Sequence, residues 1–278
     1  MNITGSWPMD TEMANRSLGL AGAALESSVT VACRPSERKG FADYEEVKHS
    51  IRQIVNAEVE KLYGLGFRGP DLITACFGQA VSVFGHYKLI ETSEGDPVQV
   101  GQMLAFARES ANLSIVENVP GEGQTKFYCG WVYMNGMKEC DFDDVNKYTR
   151  VGVNVEIRQL QSDRLLITEG SQQHLATAAE HLGSNETWGT QATDYMISQV
   201  HRMMMAYRMG NQVQLLKLVR DLCPQSDAPQ WRVLGFLGGH LPEGKDLNDV
   251  KGILASAEML RQKCKEAVQH QEGSLDFE

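Results

Sequence analysis

Residues 27–34, with the sequence SSVTVACR, form the segment that most restricts how this chain can fold. Val29, Val31 and Cys33 alternate with a threonine and an alanine, and this period of two is typical of a β-strand. Because both faces are apolar or small, we expect the strand inside a sheet that is covered on both sides. Few other strand patterns lie nearby, and a lone strand would leave its backbone groups unpaired. The segment therefore predicts a strand that completes a sheet supplied by something else.

Most of the chain after residue 40 has the spacing of amphipathic helices. Apolar residues between Val47 and Leu62 recur at helical positions, and Gly64 or Gly66 ends the run. Further helices are predicted over residues 70–83, 101–114, 125–134, 142–150, 173–182, 190–209, 212–222, 229–240 and 247–269. Residues 87–92 and 98–100 predict a hairpin, and residues 153–160 with 165–169 predict either a hairpin or a helix followed by a strand. The predicted class is α+β and predominantly helical, with N-terminal strands and small β-hairpins in the helical body.

Four segments follow from this pattern. Residues 1–40 are the terminal strand segment of a sheet, and residues 41–117 are a mixed domain of helices and a hairpin. The clearest linker, residues 117–124, contains one proline and two glycines. Beyond it, residues 118–183 have the helix, helix, hairpin order of a winged-helix module, and residues 184–278 are a helical C-terminal region.

Composition excludes several classes of protein. Hydrophobic residues make up 42% of the chain, which is too many for a disordered protein. The net charge of −10 makes the chain a poor stand-alone nucleic-acid binder, because phosphate contacts need clustered Lys and Arg. The apolar runs are too short to span a bilayer, and the first ten residues lack the pattern of a secretory signal. Six cysteines without a Cys-x-x-Cys pair are expected as buried free thiols in a reducing cytoplasm.

Motifs that would indicate a cofactor or metal site are weak. Residues 64–69 match the dinucleotide fingerprint GxGxxG, but a helix precedes them, so they are interpreted as a helix end and a turn. His174 and His181 lie two helical turns apart without a third ligand, which favours ordinary, partly exposed histidines. His201 lies beside a methionine stripe and is expected at the edge of the core. Asp141, with Asp143 and Asp144, is explained by helix capping.

Six basic residues are candidates for DNA contact. Four of them span two predicted helices with no acidic residue between them, and two lie in the winged-helix segment. A solvated face is the favoured interpretation of the first four. The six candidates are Arg150, Arg158, Arg202, Arg208, Lys217 and Arg220.

The N-terminal region also resembles a known family. Residues 7–12 (WPMDTE) and residues 24–34 (ALESSVTVACR) resemble the "WP-x-x-TE" and "AL-x-SS-(I/V)-x-(L/V)-x-CR" segments of large adenine-specific DNA methylases. In that family the first segment ends a late strand of the catalytic sheet, and the second forms its final strand. The likeness extends over about residues 6–106, with Gln79 in place of a proline and Gly85-His86 in place of Ser-Arg.

Such a methylase needs a glycine-rich turn that holds S-adenosylmethionine and an Asn/Asp-Pro-Pro-aromatic tetrapeptide that binds the flipped adenine. The sequence contains no Pro-Pro pair. The resemblance therefore implies a non-catalytic C-terminal subunit or domain of a cytoplasmic, restriction-modification type of adenine methyltransferase, inactive alone. S-adenosylmethionine would bind the catalytic partner, DNA would be contacted through the assembly, and no cofactor, metal or membrane would bind this chain. Trp7, Val29, Val31 and Cys33 are the expected contacts to the partner sheet.

Two other hypotheses stay open. The chain could be a free-standing DNA-binding or regulatory module that uses the winged-helix segment, in which case Arg150 and Arg158 would contribute to binding. It could also be a small enzyme of an unfamiliar kind, which a perturbed ionisable cluster in a deep pocket would favour.

Overall fold

Helices dominate the computed structural model, which describes residues 2–9, 28–34, 39–67, 69–142, 145, 153, 155–183 and 195–272. Short strands form three small sheets in that part of the chain. The predicted α+β, predominantly helical class is confirmed. The chain divides into two units, residues 1–115 and 116–278. Each unit therefore holds two of the four predicted segments, and the division falls two residues before the predicted linker.

The first unit begins with two strands, β1 (Asn2–Met9) and β2 (Ser28–Arg34), which pair antiparallel. The expectation that residues 27–34 lack a strand partner nearby is thus wrong, because β1 supplies one. Strand β1 was not predicted because its sequence, with a glycine, a serine and a proline, does not follow the alternation typical of a strand. The second helix of the unit packs against β1.

The rest of the first unit is a parallel strand pair with helices between its strands. Strand β3 (Lys39–Asp43) leads through α1 (Tyr44–Gly64) and α2 (Gly69–Phe84) to β4 (Tyr87–Glu91), which pairs parallel with β3, and α3 (Val100–Val116) follows. Asp43 caps α1, because its carboxylate accepts a hydrogen bond from the backbone N–H of Glu45 at 2.8 Å. The buried face of α1 is the predicted apolar stripe of Val47, Ile51, Val55, Val59 and Leu62.

The predicted hairpin of residues 87–92 and 98–100 is largely absent. A single antiparallel bridge joins Glu91 to Pro97, and the Val98 N–H donates to the Ile90 carbonyl at 2.9 Å. Strand β4 instead pairs along its length with β3, a segment whose lysine, glycine and aspartate hide its strand character. The pairing of β4 with the distant strand β3 therefore outweighs the local hairpin pattern.

The second unit combines a small sheet with a bundle of helices. Helix α4 (Gly123–Asn135) and strand β5 (Cys140–Asp141) are followed by α5 (Ile157–Ser162) and the hairpin of β6 (Leu166–Glu169) and β7 (Gln172–Leu175). The strands form an antiparallel sheet in the order β5-β7-β6. Helices α6 (Ala178–Leu182), α7 (Met196–Arg208), α8 (Gln212–Leu222), α9 (Pro229–His240) and α10 (Lys245–Glu272) complete the unit.

Helix α7 lies at the centre of this unit, since α4, α6, α8, α9 and α10 all pack against it. Its methionine stripe is buried at the centre, where Met203 and Met204 are at most 1% exposed, whereas Tyr207 at the end of the stripe is 38% exposed. The predicted helix over 173–182 is wrong in its first half, where residues 172–175 are strand β7. Helix α6 begins after Thr177, which forms a capping box with Glu180.

Cys76, Cys129, Cys223 and Cys264 are buried free thiols, as predicted, whereas the free thiol of Cys140 is half-buried. None of the helices in the described ranges combines the length and the apolar character needed to cross a membrane.

Candidate nucleic-acid interface

Residues 123–175 reproduce part of the winged-helix order predicted for them. Helix α4, strand β5, helix α5 and the β6–β7 hairpin follow one another, and β5 pairs with β7 at the base of the hairpin. Of the two alternatives left open for residues 153–169, the helix followed by a strand is correct. The predicted helix over 142–150 lies mostly outside the described residues, as do Asp143, Asp144 and Arg150.

Side-chain amides fix α5 against the hairpin. The Gln161 Nε2 group donates to Thr168 Oγ1 at 2.9 Å, and Thr168 Oγ1 donates to Gln173 Oε1 at 3.0 Å. Gly170, with a φ of 64°, occupies the first position of the two-residue turn, where glycine is favoured. The helix and the hairpin are therefore held as one body, with the exposed side of α5 available to a partner.

The charge of this module is unfavourable for DNA. Residues 123–183 contain six Lys and Arg against eight Asp and Glu, and the β6–β7 hairpin carries Glu169 but neither Lys nor Arg. Arg158 is exposed on α5, but Glu156 is exposed two residues before it. Asp141 lies in β5, where its carboxylate accepts from Gln172 Nε2 at 2.5 Å, and most of the residues that it was predicted to cap lie outside the described ones. Phosphate contact by this surface would rest on very few cations.

Two of the DNA-contact candidates, both on α7, are packed within the second unit. Arg202 is only 9% exposed. The Arg208 guanidinium lies 2.5 Å from Asp246 Oδ1 and 2.6 Å from Asp249 Oδ2, two carboxylates on α10 that are themselves buried. The predicted basic face over two helices is therefore wrong for these arginines, because Arg202 is buried and the α10 carboxylates neutralise Arg208.

Lys217 and Arg220 are exposed on α8, as a phosphate contact would require. The Arg220 Nε atom pairs with the neighbouring Asp221 carboxylate at 2.9 Å, so part of its charge is compensated locally. The described candidates thus separate into Arg158 on α5, two cations on α8, and the buried Arg202 with the half-buried, ion-paired Arg208 on α7, instead of forming one stripe.

The four predicted contacts to a partner sheet lie on the β1–β2 pair. Trp7 is opposite Thr30, and Val31 is opposite Ser6 in the register of the two strands. Val29 and Cys33 belong to the same strand, β2. The backbone of all four residues is described, whereas the environment of their side chains lies outside the description.

A buried histidine pair is the polar feature that the sequence did not indicate. The Nδ1 atoms of His181 and His201 are 2.8 Å apart, and Ser198 Oγ lies 3.5 Å from His181 Nε2. The Tyr128 ring meets His201 edge-on, and its hydroxyl donates to the Ala176 carbonyl at 2.9 Å. Predictions of a partly exposed His181 and a core-edge His201 are both wrong, because the two residues are 9% and 0% exposed.

The His201 ring is neutral and completely buried. Burial, with smaller contributions from His181 and the Arg208 guanidinium, lowers the pKa of His201 well below its ordinary value. The neutral His201 ring shares a hydrogen bond with His181, and this bond joins α6 to α7. A small-enzyme hypothesis would need such groups in an accessible pocket. A ring that is 0% exposed cannot meet a substrate.

Metal-binding geometry is not found in the described ranges, where no three His, Cys, Asp or Glu side chains come together as ligands. His174, the other histidine considered as a ligand, lies 3.8 Å from the Glu180 carboxylate.

Comparisons of the chain with protein-family models, with curated proteins and with solved structures find no match.

Proposed function

We propose that this chain is a non-catalytic C-terminal subunit or domain of an adenine-specific DNA methyltransferase. Its N-terminal strands would complete the catalytic sheet of a partner chain or domain, and its helical remainder would position DNA or bind other subunits. S-adenosylmethionine and the flipped adenine would be bound by the catalytic partner, in the cytoplasm, in an assembly of the restriction-modification type.

One observation carries the proposal: the two segments that resemble the late and final strands of the methylase sheet pair with each other. Residues 2–9 and 28–34 are antiparallel neighbours over almost their whole length. The resemblance expects both segments in one sheet, and their direct pairing agrees with that expectation.

The open edges of this pair supply a reason for association. Within the described residues, β1 and β2 form a sheet of only two strands. An isolated two-stranded sheet is marginal in water, and its unpaired N–H and C=O groups offer a template for a further strand. A catalytic sheet that adds to one edge would satisfy those groups.

Reconstitution tests the proposal directly. The tagged chain is purified from its native cells, co-purifying polypeptides are identified, and adenine methylation of DNA is measured for the chain, for the partner and for the mixture. We expect a partner that carries the glycine turn and the Pro-Pro tetrapeptide, and methylation that depends on both. Recovery of the chain without any such polypeptide, or full activity of the partner alone, would refute the proposal.

Proline substitutions in β2 locate the contact. Thr30→Pro and Val31→Pro each remove one backbone N–H, and successive N–H groups of a strand point to opposite edges. One substitution should therefore weaken the β1–β2 pair and the other the partner contact, and both should lower co-purification. Ser93→Pro, in an exposed turn of the same unit, is the matched control and should leave co-purification unchanged.

The second candidate is a free-standing DNA-binding or regulatory module. The α5 helix and β6–β7 hairpin favour it, whereas the charge of residues 123–183 disfavours it. Duplex binding by the isolated chain is measured as a function of salt, with Arg158→Ala and, as control, Lys138→Ala. If this candidate is correct, Arg158→Ala reduces the salt slope by about one, as the loss of one phosphate contact should.

A further inference from the structure

An open groove runs between α7, α8 and α10 in the second unit, with a volume of about 110 Å³. Tyr207 from α7, Leu216 from α8, and Met259 and Leu260 from α10 give it an apolar lining. Lys263 is the one charged residue among the side chains that line it. We call this feature the α7–α8–α10 groove.

Two of the side chains that line the groove are large, apolar and exposed, since Met259 is 49% and Tyr207 38% exposed. Met209 and Val213, which are 64% and 82% exposed, adjoin the lining residues Gly210 and Gln212 in sequence. Single exposed apolar residues are ordinary, but a cluster of them around one concave surface is typical of an interaction site. The two methionines are flexible and polarisable, so they can adapt to a partner's side chains.

The tyrosine wall of the groove depends on a glycine in α10. A Cβ atom added at Gly252 would lie within about 2.6 Å of three Tyr207 ring and hydroxyl atoms, so no other residue allows this approach. Tyr207 therefore rests on the α10 backbone and closes one side of the groove.

Two lysines lie at or next to the groove: Lys263 lines it, and Lys217 follows the lining residue Leu216 on α8. In the described part of the chain, neither Lys217 nor Lys263 forms an ion pair, and both are exposed. The acidic residues close to them in sequence are engaged elsewhere. Asp221 pairs with Arg220, Glu258 pairs with Arg261, and Glu266 accepts from Gln262 at 3.1 Å. An apolar floor with these two lysines complements apolar side chains flanked by carboxylates.

We propose that the α7–α8–α10 groove docks an amphipathic, acidic segment of a partner polypeptide. Its apolar side chains would enter between Tyr207, Leu216 and Met259, and its carboxylates would meet Lys217 and Lys263. A second copy of this chain fits less well, because a twofold contact would bring the lysines of both copies together. Nucleic acid fits less well because the floor is aliphatic, with few cations around it. The proposal goes beyond the methyltransferase assignment and does not depend on it.

Selection from a peptide library tests the chemistry of the occupant. A random 16-residue library displayed on phage is selected against the full chain, and the enriched peptides are synthesised for fluorescence-polarisation titration. We expect enriched sequences with at least three apolar residues at regular spacing and a net negative charge. Failure to enrich any sequence, or enrichment of basic ones, would overturn the proposal.

Substitutions then place the peptide. Met259→Glu should weaken binding about tenfold, because it puts a carboxylate among apolar contacts. Val213→Glu, at an 82% exposed side chain that can change without harm to the fold, should also weaken binding. The matched control is Val100→Glu, a 54% exposed residue in the other unit, which should bind as the parent chain does.

Charge reversal separates the possible occupants. Lys217→Glu with Lys263→Glu should weaken an acidic peptide about tenfold, and a lysine-substituted version of the peptide should recover binding to that variant. Lys138→Glu, at another exposed lysine of the second unit, is the control. Peptide binding indifferent to these changes would overturn the proposal. So would salt-sensitive duplex binding lost in the double variant, or a dimer in sedimentation that Met259→Glu dissociates.

Discussion

At the scale of single residues, burial decides which charged side chains serve the fold. Arg208 has the helical spacing of a surface arginine, and its two aspartate partners lie about forty residues later in the sequence. No local pattern links such positions, so the sequence favoured a solvated face, with phosphate contact as the alternative, where the structure has an ion-pair network. Asp246 also accepts from the Ala178 N–H at 3.0 Å, so one carboxylate joins α6, α7 and α10.

Arg208→Ala should therefore lower stability, not DNA affinity as such. Two carboxylates that are 9% and 7% exposed would lose their counter-charge, at a cost of about 2–3 kcal/mol in the free energy of unfolding. Urea denaturation measures the change, and Arg220→Ala at the surface is the matched control with an expected effect below about 0.5 kcal/mol. Equal stability of the two variants would contradict the structural assignment of Arg208.

The buried histidine pair predicts loss of stability in mild acid. Because the pKa of His201 is lowered in the folded state, the unfolded chain binds a proton below about pH 6.5 that the folded chain does not. The folded state therefore has its full stability above that pH and loses stability as the pH falls. The loss should reach about 2 kcal/mol at pH 5.

Urea denaturation between pH 7.5 and pH 5 measures this effect. His201→Gln should be less stable throughout but should show a flatter dependence on pH, because the glutamine does not titrate. The same substitution at the exposed His49 serves as control. Parallel pH curves for the parent chain and His201→Gln would show that the pair does not control acid stability.

At the scale of elements, the start of α7 is held by side chains from the α4 region. The Met196 N–H donates to Glu122 Oε1 at 2.8 Å, and the Ile197 N–H donates to Thr125 Oγ1 at 3.0 Å. Thr125 in turn donates to Glu122, and it is completely buried. These contacts replace the local N-cap that α7 lacks, since Tyr195 provides no side-chain hydrogen bond.

Thr125→Val should destabilise the second unit by about 1–2 kcal/mol, because it keeps the side-chain shape but leaves the Ile197 N–H unsatisfied. The comparison is Ser171→Ala in the exposed hairpin turn, where a lost hydroxyl should have little effect. Thermal unfolding followed by circular dichroism measures both. A Thr125→Val variant as stable as Ser171→Ala would mean that the cross-helix cap contributes nothing.

Helix positions could be predicted from the sequence wherever one apolar face and its end signals coincide. Helix α1, with Asp43 before it and Gly66 after it, is an example. Helix α5 is a contrary case, because the chain turns after it at Arg164, a non-glycine residue with a φ of 56°. Gly123 is a second contrary case. The residues around it indicated a linker, yet a Cβ atom added to Gly123 would lie 2.5–2.6 Å from the Val155 side chain and the Val153 carbonyl oxygen, so the backbone is closely packed there. The end of α5 and the packing of Gly123 are therefore features that no local sequence pattern reveals.

At the scale of the whole molecule, neither the exposure of the charged residues nor the position of the groove could be predicted from the sequence. The net charge disfavours a broad cationic surface, but the sequence could not separate exposed Lys217 from buried Arg202. Exposure depends on which helix covers which, and that is decided by α10, whose contacts with α7 are distant in sequence. The groove was missed for the same reason, since three helices form it.

The division of the chain predicts how it tolerates truncation. Residues 116–278 form one unit in the structure, so that fragment should fold alone and unfold in a single cooperative urea transition. A fragment of residues 184–278, which the sequence pattern set apart as its own region, should not. It would expose the His201 face that Tyr128 and His181 cover, and it would lose the Thr125 cap of α7.

Near-ultraviolet circular dichroism and urea titration of the two fragments check this prediction. The longer fragment should retain the tertiary signal of its buried Trp131 and Trp231, and the shorter should remain helical without a cooperative transition. Cooperative unfolding of residues 184–278 alone would show that α7 to α10 form an independent domain. In that case the contacts of α4 and α6 with α7 would join two domains instead of building one core.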